Sequence, residues 1–474
     1  MSGYFNFEEI NRRLTNKQNE NGLSSHDTGN VKHAFPFTSS KLSNVFSKGI
    51  NEIIGELVRL ANNLESAEFV YEGDFTYSEN PLINNVIERV DFPSGGSEEV
   101  LAGFLEDYLF ADSTELKPLH LYLFNYIDIN GEKNEKEKYS RFIYDSLFYS
   151  YPEISSLFSS TETDNLLTEL IITSLPELKE RKGSKKVTKT KYTNVFPELN
   201  ELFVKDFLFL SKHKDYFINH FFNIIHFYIY QYVLQFLIKA QKFGEDEWGK
   251  QMAAFHYTFD WETGVGGYRE AVEDYQFVKN NARNLFVHIH CMSHLSHNEE
   301  EFNSEHELKS YKELLHELNL LNSDEQKHEK EKLIQWIKAY TELIQGNISE
   351  EVNLNSDFPT LFKSLFDQLK VGMSDDVCEK YGKNIDNLGK GRFLKARGKH
   401  GYILSLKQED FLMLSAVAVG ENKIPLKTFF KELKSRGVVF DQYSKKEAVK
   451  LLEQQNYIEK KSDSGDAQYV KPIL

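Results

Sequence analysis

The chain has 474 residues, 40% hydrophobic and 14% aromatic, with ten prolines, and its formal net charge is −16. That length supports a large core in two or three domains, and the acidity excludes wholesale coating of nucleic acid or of an anionic membrane, so any basic surface is local. Two cysteines, Cys291 and Cys378, are too few for a disulfide framework or a four-cysteine zinc site; together with an N-terminus that lacks an apolar signal core, this reads as a cytoplasmic protein with no membrane anchor.

Residues 1–35 are polar, weakly periodic and rich in Asn, Ser and Gly, which reads as an arm that either docks on something or stays mobile. A helical body is expected over residues 36–350. Ile50, Ile53, Ile54, Leu57, Leu60 and Ala61 share one helical face, and apolar stretches at 100–110, 119–127 and 139–148 are separated by polar turns. Residues 179–191, KERKGSKKVTKTK, break this pattern with seven basic residues and one acid. Lys185 and Lys186 there are candidates for phosphate contact through counterion release, and a solvated surface loop accounts for them equally well.

Residues 215–240 form the densest apolar and aromatic run, without Pro or Gly. Asn219, Asn223, His226, Tyr230, Gln235 and Lys239 recur along it every three to five residues, so the expectation is a core helix with one hydrogen-bonded polar stripe rather than a membrane span. Next come FHYTFDW at 255–261 and glycines 264, 266 and 267, which lack the Lys-Ser or Lys-Thr of a phosphate loop. One helix is expected from Glu270 to about His297; it carries His288, His290, Cys291, His294 and His297, with His290, His294 and His297 on one face at spacings a metal could use. Packed or surface histidines are the simpler account, and no metal or other cofactor is assigned. Leu308, Tyr311, Leu314, Leu315 and Leu318 stripe one amphipathic helix; Leu333, Ile334, Ile337, Tyr340 and Ile344 stripe the next, with a capping box expected at Ser323 and Gln326.

Residues 351–400 read as a linker ending in a basic segment: Lys390, Arg392, Lys395, Arg397 and Lys399 fall within ten residues without an acid. Over 401–474 the pattern is a strand at 402–406, helices at 408–419 and 426–434, and a third helix opened by a Ser444–Glu447 capping box. Strands 457–461 and 467–470 then flank the turn 462–466. Three helices closed by a hairpin read as a winged helix, so the expected fold is mainly α, a multi-helix body with a long aromatic central helix followed by a winged-helix domain. Residues 390–474 hold 17 Lys and Arg against 10 Asp and Glu, a net +7 that leaves −23 for the rest of the chain. A basic tail of this kind can meet double-stranded DNA, with Lys445, Lys446 and Lys450 joining the 390–399 cluster in phosphate contact, or it can dock a protein.

The tail EKKSDSGDAQYVK at 459–471 resembles the C-terminal signature of the DptG family, the G component of DNA phosphorothioation-dependent restriction systems. Phe259-Asp260-Trp261-Glu262, and Leu285-Phe286 with His288, Cys291 and His297, agree with it; the resemblance covers the second half of the chain. It implies an anti-phage defence subunit that works with an ATPase partner, the F component, and a helicase-like partner, the H component, against DNA lacking the sulfur modification. It implies no catalytic residues here, and the sequence holds no Walker lysine and no Gly-x-Ser-x-Gly elbow. The alternative is a metal-dependent nuclease or hydrolase subunit built on the histidines of 288–297.

Overall fold

The computed structural model describes residues 4–20, 22–39, 46, 50–92, 96–110, 116–245, 252–262, 268–298, 305–347, 352–398, 401–460 and 468–474. The protein is mainly helical. It divides into two compact units: the first comprises residues 1–44, 192–203 and 226–474, the second residues 45–191 and 204–225.

The second unit is organised on the helix Ile50–Asn62, whose Ile53, Ile54, Leu57 and Leu60 are buried as their spacing requires. It packs on the helix Lys133–Ile143 and on the 3-10 turn Leu121–Tyr126. Gly55 makes the close approach possible, because a Cβ there would stand 2.3 Å from the Ile127 carbonyl oxygen. Arg59, almost fully buried, donates to the carbonyls of Asn125 and Ile127 and pairs with Glu56, so a charge withdrawn from water keeps its hydrogen bonds. Phe124 meets Phe221 edge-on at 4.9 Å and Phe148 meets Phe207 at 5.7 Å, which ties the 204–225 segment into this core.

The first unit holds the remainder of the long helix Lys214–Ala240, from His226 on. That helix is long and apolar enough to cross a membrane, and 89% of its most apolar window is buried in protein. Asn219, Asn223, His226 and Gln235 of its polar stripe are hydrogen-bonded, whereas the buried Tyr230 hydroxyl has no hydrogen-bond partner among the described residues. His226 Nε2 donates to the Leu388 carbonyl at 2.7 Å, and Gln235 exchanges two 2.8 Å hydrogen bonds with the main chain of Ala253. The polar arm read over residues 1–35 belongs to this unit, and its described residues pack into it with Phe37 just beyond. Phe5 N–H donates to Glu329 at 2.7 Å, Phe7 stacks on Trp336 at 5.2 Å, and Ile10, Leu14, Phe35 and Phe37 are buried. A two-residue hairpin, β1 (Gln18–Asn19) with β2 (Gly22–Leu23), follows the helix Glu8–Thr15.

The histidine-bearing stretch is two helices, Arg269–Ala282 and Asn284–Leu295, rather than one. The segment read as a linker contains the helices Phe358–Gly372 and Asp375–Gly389, both with buried faces against Asn284–Leu295. The helix Ser323–Leu343 starts one residue earlier than expected: Asn322 and Glu325 form its capping box, displacing Ser323 and Gln326, because the Asn side chain reaches the N–H groups of both Asp324 and Glu325.

Strands are short and join distant parts of the chain. β3 (Phe255–His256) and β4 (Thr258–Phe259) are followed much later by β5 (Leu394–Ala396) and β6 (Tyr402–Leu406); β4 pairs parallel with β6, and β5 antiparallel with β6. Then come the helix Gln408–Val419, β7 (Ile424–Pro425), the helix Leu426–Ser435, β8 (Val438–Val439), the helix Gln442–Gln454, β9 (Ile458–Lys460) and β10 (Gln468–Val470). β8 pairs parallel with β3, and a second antiparallel sheet runs in the order β7-β10-β9. The turn expected at 462–466 lies outside the described residues.

Candidate nucleic-acid interface

The helix Gln442–Gln454 presents one apolar and one basic face. Ser444, Ala448, Leu451 and Leu452 are buried, while Lys445, Lys446 and Lys450 are exposed. Its start is capped by Asp441, whose carboxylate accepts from the N–H groups of Tyr443 at 2.6 Å and Ser444 at 2.9 Å. Ser444, expected as the cap, instead sits one turn inside the helix and donates to Glu262 Oε2 at 3.0 Å. Burial raises the Glu262 pKa, and the Phe259 N–H and Ser444 hydroxyl oppose it by stabilising the carboxylate. The FDWE segment thus meets the first turn of the helix Gln442–Gln454 directly. Phe259 stacks on Trp261 at 4.3 Å and on Phe440 at 4.8 Å and meets Phe411 edge-on at 5.0 Å.

Lys446 lies over the Tyr443 ring at 5.9 Å, and Lys445 over the Phe430 ring at 5.8 Å. The latter contact brings the basic face beside the helix Leu426–Ser435. That helix exposes Lys427, Lys431 and Lys434, one stripe at spacings of four and three. None of these three, nor Lys445 or Lys446, forms an ion pair with a described residue. Lys450 pairs with Glu447 at 3.7 Å in solvent, an interaction worth little in water. Sequence reasoning missed the 427/431/434 stripe, although helical spacing marks it.

The 390–399 cluster behaves differently. Arg392 donates to Glu409 and, through two nitrogens, to Asp410, whose carboxyl burial pushes up to about 6 against the pull of the guanidinium. Lys395 donates to the Asp260 carbonyl, and burial lowers its pKa, with the charge of Arg397 adding to the shift. Arg397 donates to the carbonyls of Phe259 at 3.0 Å and Glu262 at 3.1 Å, and lies over the Tyr268 ring at 4.6 Å. Lys395 and Arg397 hold β4 and the turn after it against β5, while Arg392 ties the segment before β5 to the helix Gln408–Val419. Donors of all three face protein oxygens. Lys390 is exposed, over the Tyr402 ring at 5.6 Å, and Lys399 lies outside the described residues. Lys185 and Lys186 belong to the other unit, where Lys185 pairs with Glu65 at 3.0 Å and Lys186 is exposed.

The histidines of the helix Asn284–Leu295 are buried. His288 meets Tyr311 OH at 3.1 Å and Gln241 at 2.8 Å, and His294 Nε2 donates to the Asp27 carbonyl at 3.0 Å. Burial lowers both to about 3 and holds His290 well below the usual imidazole range, so all three are neutral. They do not converge with His297 on a common point. The cluster that does form among the described residues is Glu9, His297 and His306. The chain matches no protein-family model and no curated protein sequence.

Proposed function

We propose that residues 401–474 form a winged helix whose exposed lysines grip the backbone of double-stranded DNA, within a non-catalytic subunit of a phosphorothioation-dependent restriction complex. The observation that carries the DNA half of this reading is the coexistence of two things in one module. The helix–strand–helix–helix–hairpin order pairs its strands as β7-β10-β9, and six exposed lysines, 427, 431, 434, 445, 446 and 450, stand on the second and third of its helices. The third helix is packed on its apolar side and basic on its solvent side, as an element laid along a charged groove requires. The restriction half rests on the resemblance, with the F-component ATPase and the H-component helicase-like protein as partners in the cytoplasm.

Binding to a duplex of fixed sequence, measured across salt concentrations, tests the DNA reading. With six phosphate contacts the slope of log K against log salt is about −5, and changing Lys445, Lys446 and Lys450 to Glu flattens it by roughly half. An unchanged slope transfers the module to protein docking. Co-purification with the F and H components tests the assembly reading; no complex with either protein overturns it. The 390–399 cluster is unsuitable for charge reversal, since Arg392, Lys395 and Arg397 hold the module together.

A further inference from the structure

We propose that Glu9, His297 and His306 form a binding site for one divalent transition-metal cation of the class held by imidazole and carboxylate, zinc or iron(II). One ligand atom from each residue lies within 4.8 Å of those of the other two. The three are 7%, 1% and 7% exposed. They come from chain-distant places: the helix Glu8–Thr15, the turn after the helix Asn284–Leu295, and a bridge at His306. Main-chain hydrogen bonds fix each place without help from an ion. Asn6 N–H donates to the His297 carbonyl at 3.2 Å, His306 N–H to the Asn30 carbonyl at 2.8 Å, and Lys32 N–H to the His306 carbonyl at 2.9 Å. The ligand carriers are therefore held in place by the fold.

The surroundings are those of a metal site. His297 Nε2 donates to the Thr28 carbonyl at 3.1 Å, the outer hydrogen bond that sets a ligating histidine's tautomer and leaves its other nitrogen a lone pair. Gly29, at φ +72°, lets the main chain come so near: a Cβ there would stand 2.1 Å from that Nε2. Arg13 binds one oxygen of Glu9 with two nitrogens, each at 2.9 Å, and the second oxygen has no hydrogen bond to a described residue. The His306 ring makes no hydrogen bond to a described residue, which leaves both of its nitrogens available, and it lies 5.1 Å from the ring of His297. Two imidazoles and one carboxylate are the donor set of three-ligand zinc and iron(II) centres, which leave further positions for water. Ligands about 2.1 Å from one ion stand roughly 3–3.5 Å apart, so modest side-chain rotations close the site. The inference is independent of the DNA reading.

The test is metal analysis of the full chain purified without chelator, together with thermal unfolding of chelator-stripped protein to which zinc chloride or, anaerobically, ferrous sulfate is added. The expected result is about one equivalent of zinc or iron per chain, and a Tm that rises saturably with that ion. Both are lost in Glu9→Gln and His306→Ala and kept in His290→Ala, which changes a neighbouring ring outside the cluster. Glu9→Gln preserves the shape and an acceptor for Arg13, so it still reports if His306→Ala fails to fold. A metal-free wild-type chain whose Tm neither ion moves, or wild-type metal affinity in either cluster variant, overturns the proposal.

Discussion

Replacing Arg397 with glutamine separates a cation that holds the fold from one that meets phosphate. The guanidinium donates to two main-chain carbonyls and lies over the Tyr268 ring. Hydrogen bonds involving a charged partner contribute about 1.5–3 kcal/mol each, and an accessible cation–π contact about 0.5–1 kcal/mol. Arg397 is partly exposed, and its buried Nε has no described partner, so the lower end applies and the expected loss is about 3.5 kcal/mol. Trp261 stacks on Phe259, whose carbonyl takes one of the two hydrogen bonds, and so reports local unfolding. Urea unfolding followed by fluorescence, with Trp248 and Trp336 changed to Phe in both proteins, measures the difference. The salt slope of DNA binding should stay as in wild type. An unmoved midpoint, with a slope shallower by about 0.9, would mean that Arg397 contacts a phosphate and that the internal role assigned to it is wrong.

Other consequences are as concrete. Phe259→Ala removes a fully buried ring with three aromatic neighbours and should cost about 3–5 kcal/mol in the same unfolding assay. Ser444→Ala takes one donor from the buried Glu262 carboxylate, for an expected loss of about 1–2 kcal/mol and a further rise in the Glu262 pKa, read by carboxylate-resolved NMR titration. Asp410 titrates at about 6 in the folded chain and near 4 unfolded, so its contribution to stability is fully present below about pH 4 and is lost as pH rises through about 6. That difference amounts to about 3 kcal/mol; the stability of wild type relative to Asp410→Asn should fall by this much across the window, and a flat difference would refute it. Gly29→Ala forces a side chain into the left-handed region against His297 and should lower unfolding free energy by more than the ~1–2 kcal/mol of backbone cost alone, read by urea unfolding.

Much of the helical framework follows from spacing. The run from Asp215 to Ala240 predicts a helix that begins one residue earlier, at Lys214. The apolar positions of 408–419 and 426–434 predict helices with those bounds to within a residue, because buried faces repeat at 3.6 residues. The parallel pairs β3–β8 and β4–β6 were not legible: strands of two residues are too short to show alternation, and a pairing partner well over a hundred residues away leaves no local mark. Capping boxes at Ser323 and Ser444 misplace the helix starts because Asn322 and Asp441 offer competing side-chain acceptors nearby. The basic count at 390–399 suggested an outward surface; what it lacks is direction, since Arg392, Lys395 and Arg397 turn toward oxygens supplied by Asp410 and residues 259–262. The Glu9, His297 and His306 cluster is assembled from places nearly 300 residues apart, and only His297 drew attention in sequence.

The two parallel pairings set a timetable for synthesis. Phe255 pairs with Val438, 183 residues later; at about 5–20 residues per second its partner leaves the ribosome roughly 10–40 s after it. Throughout that interval β3 lacks its strand partner, and Phe259, fully buried in the finished protein, lacks the stacked ring of Phe440. Nascent chains stalled before residue 400 should therefore be chaperone clients, and truncated products ending there should aggregate, which makes translation of the last 75 residues the step that commits the chain to its fold.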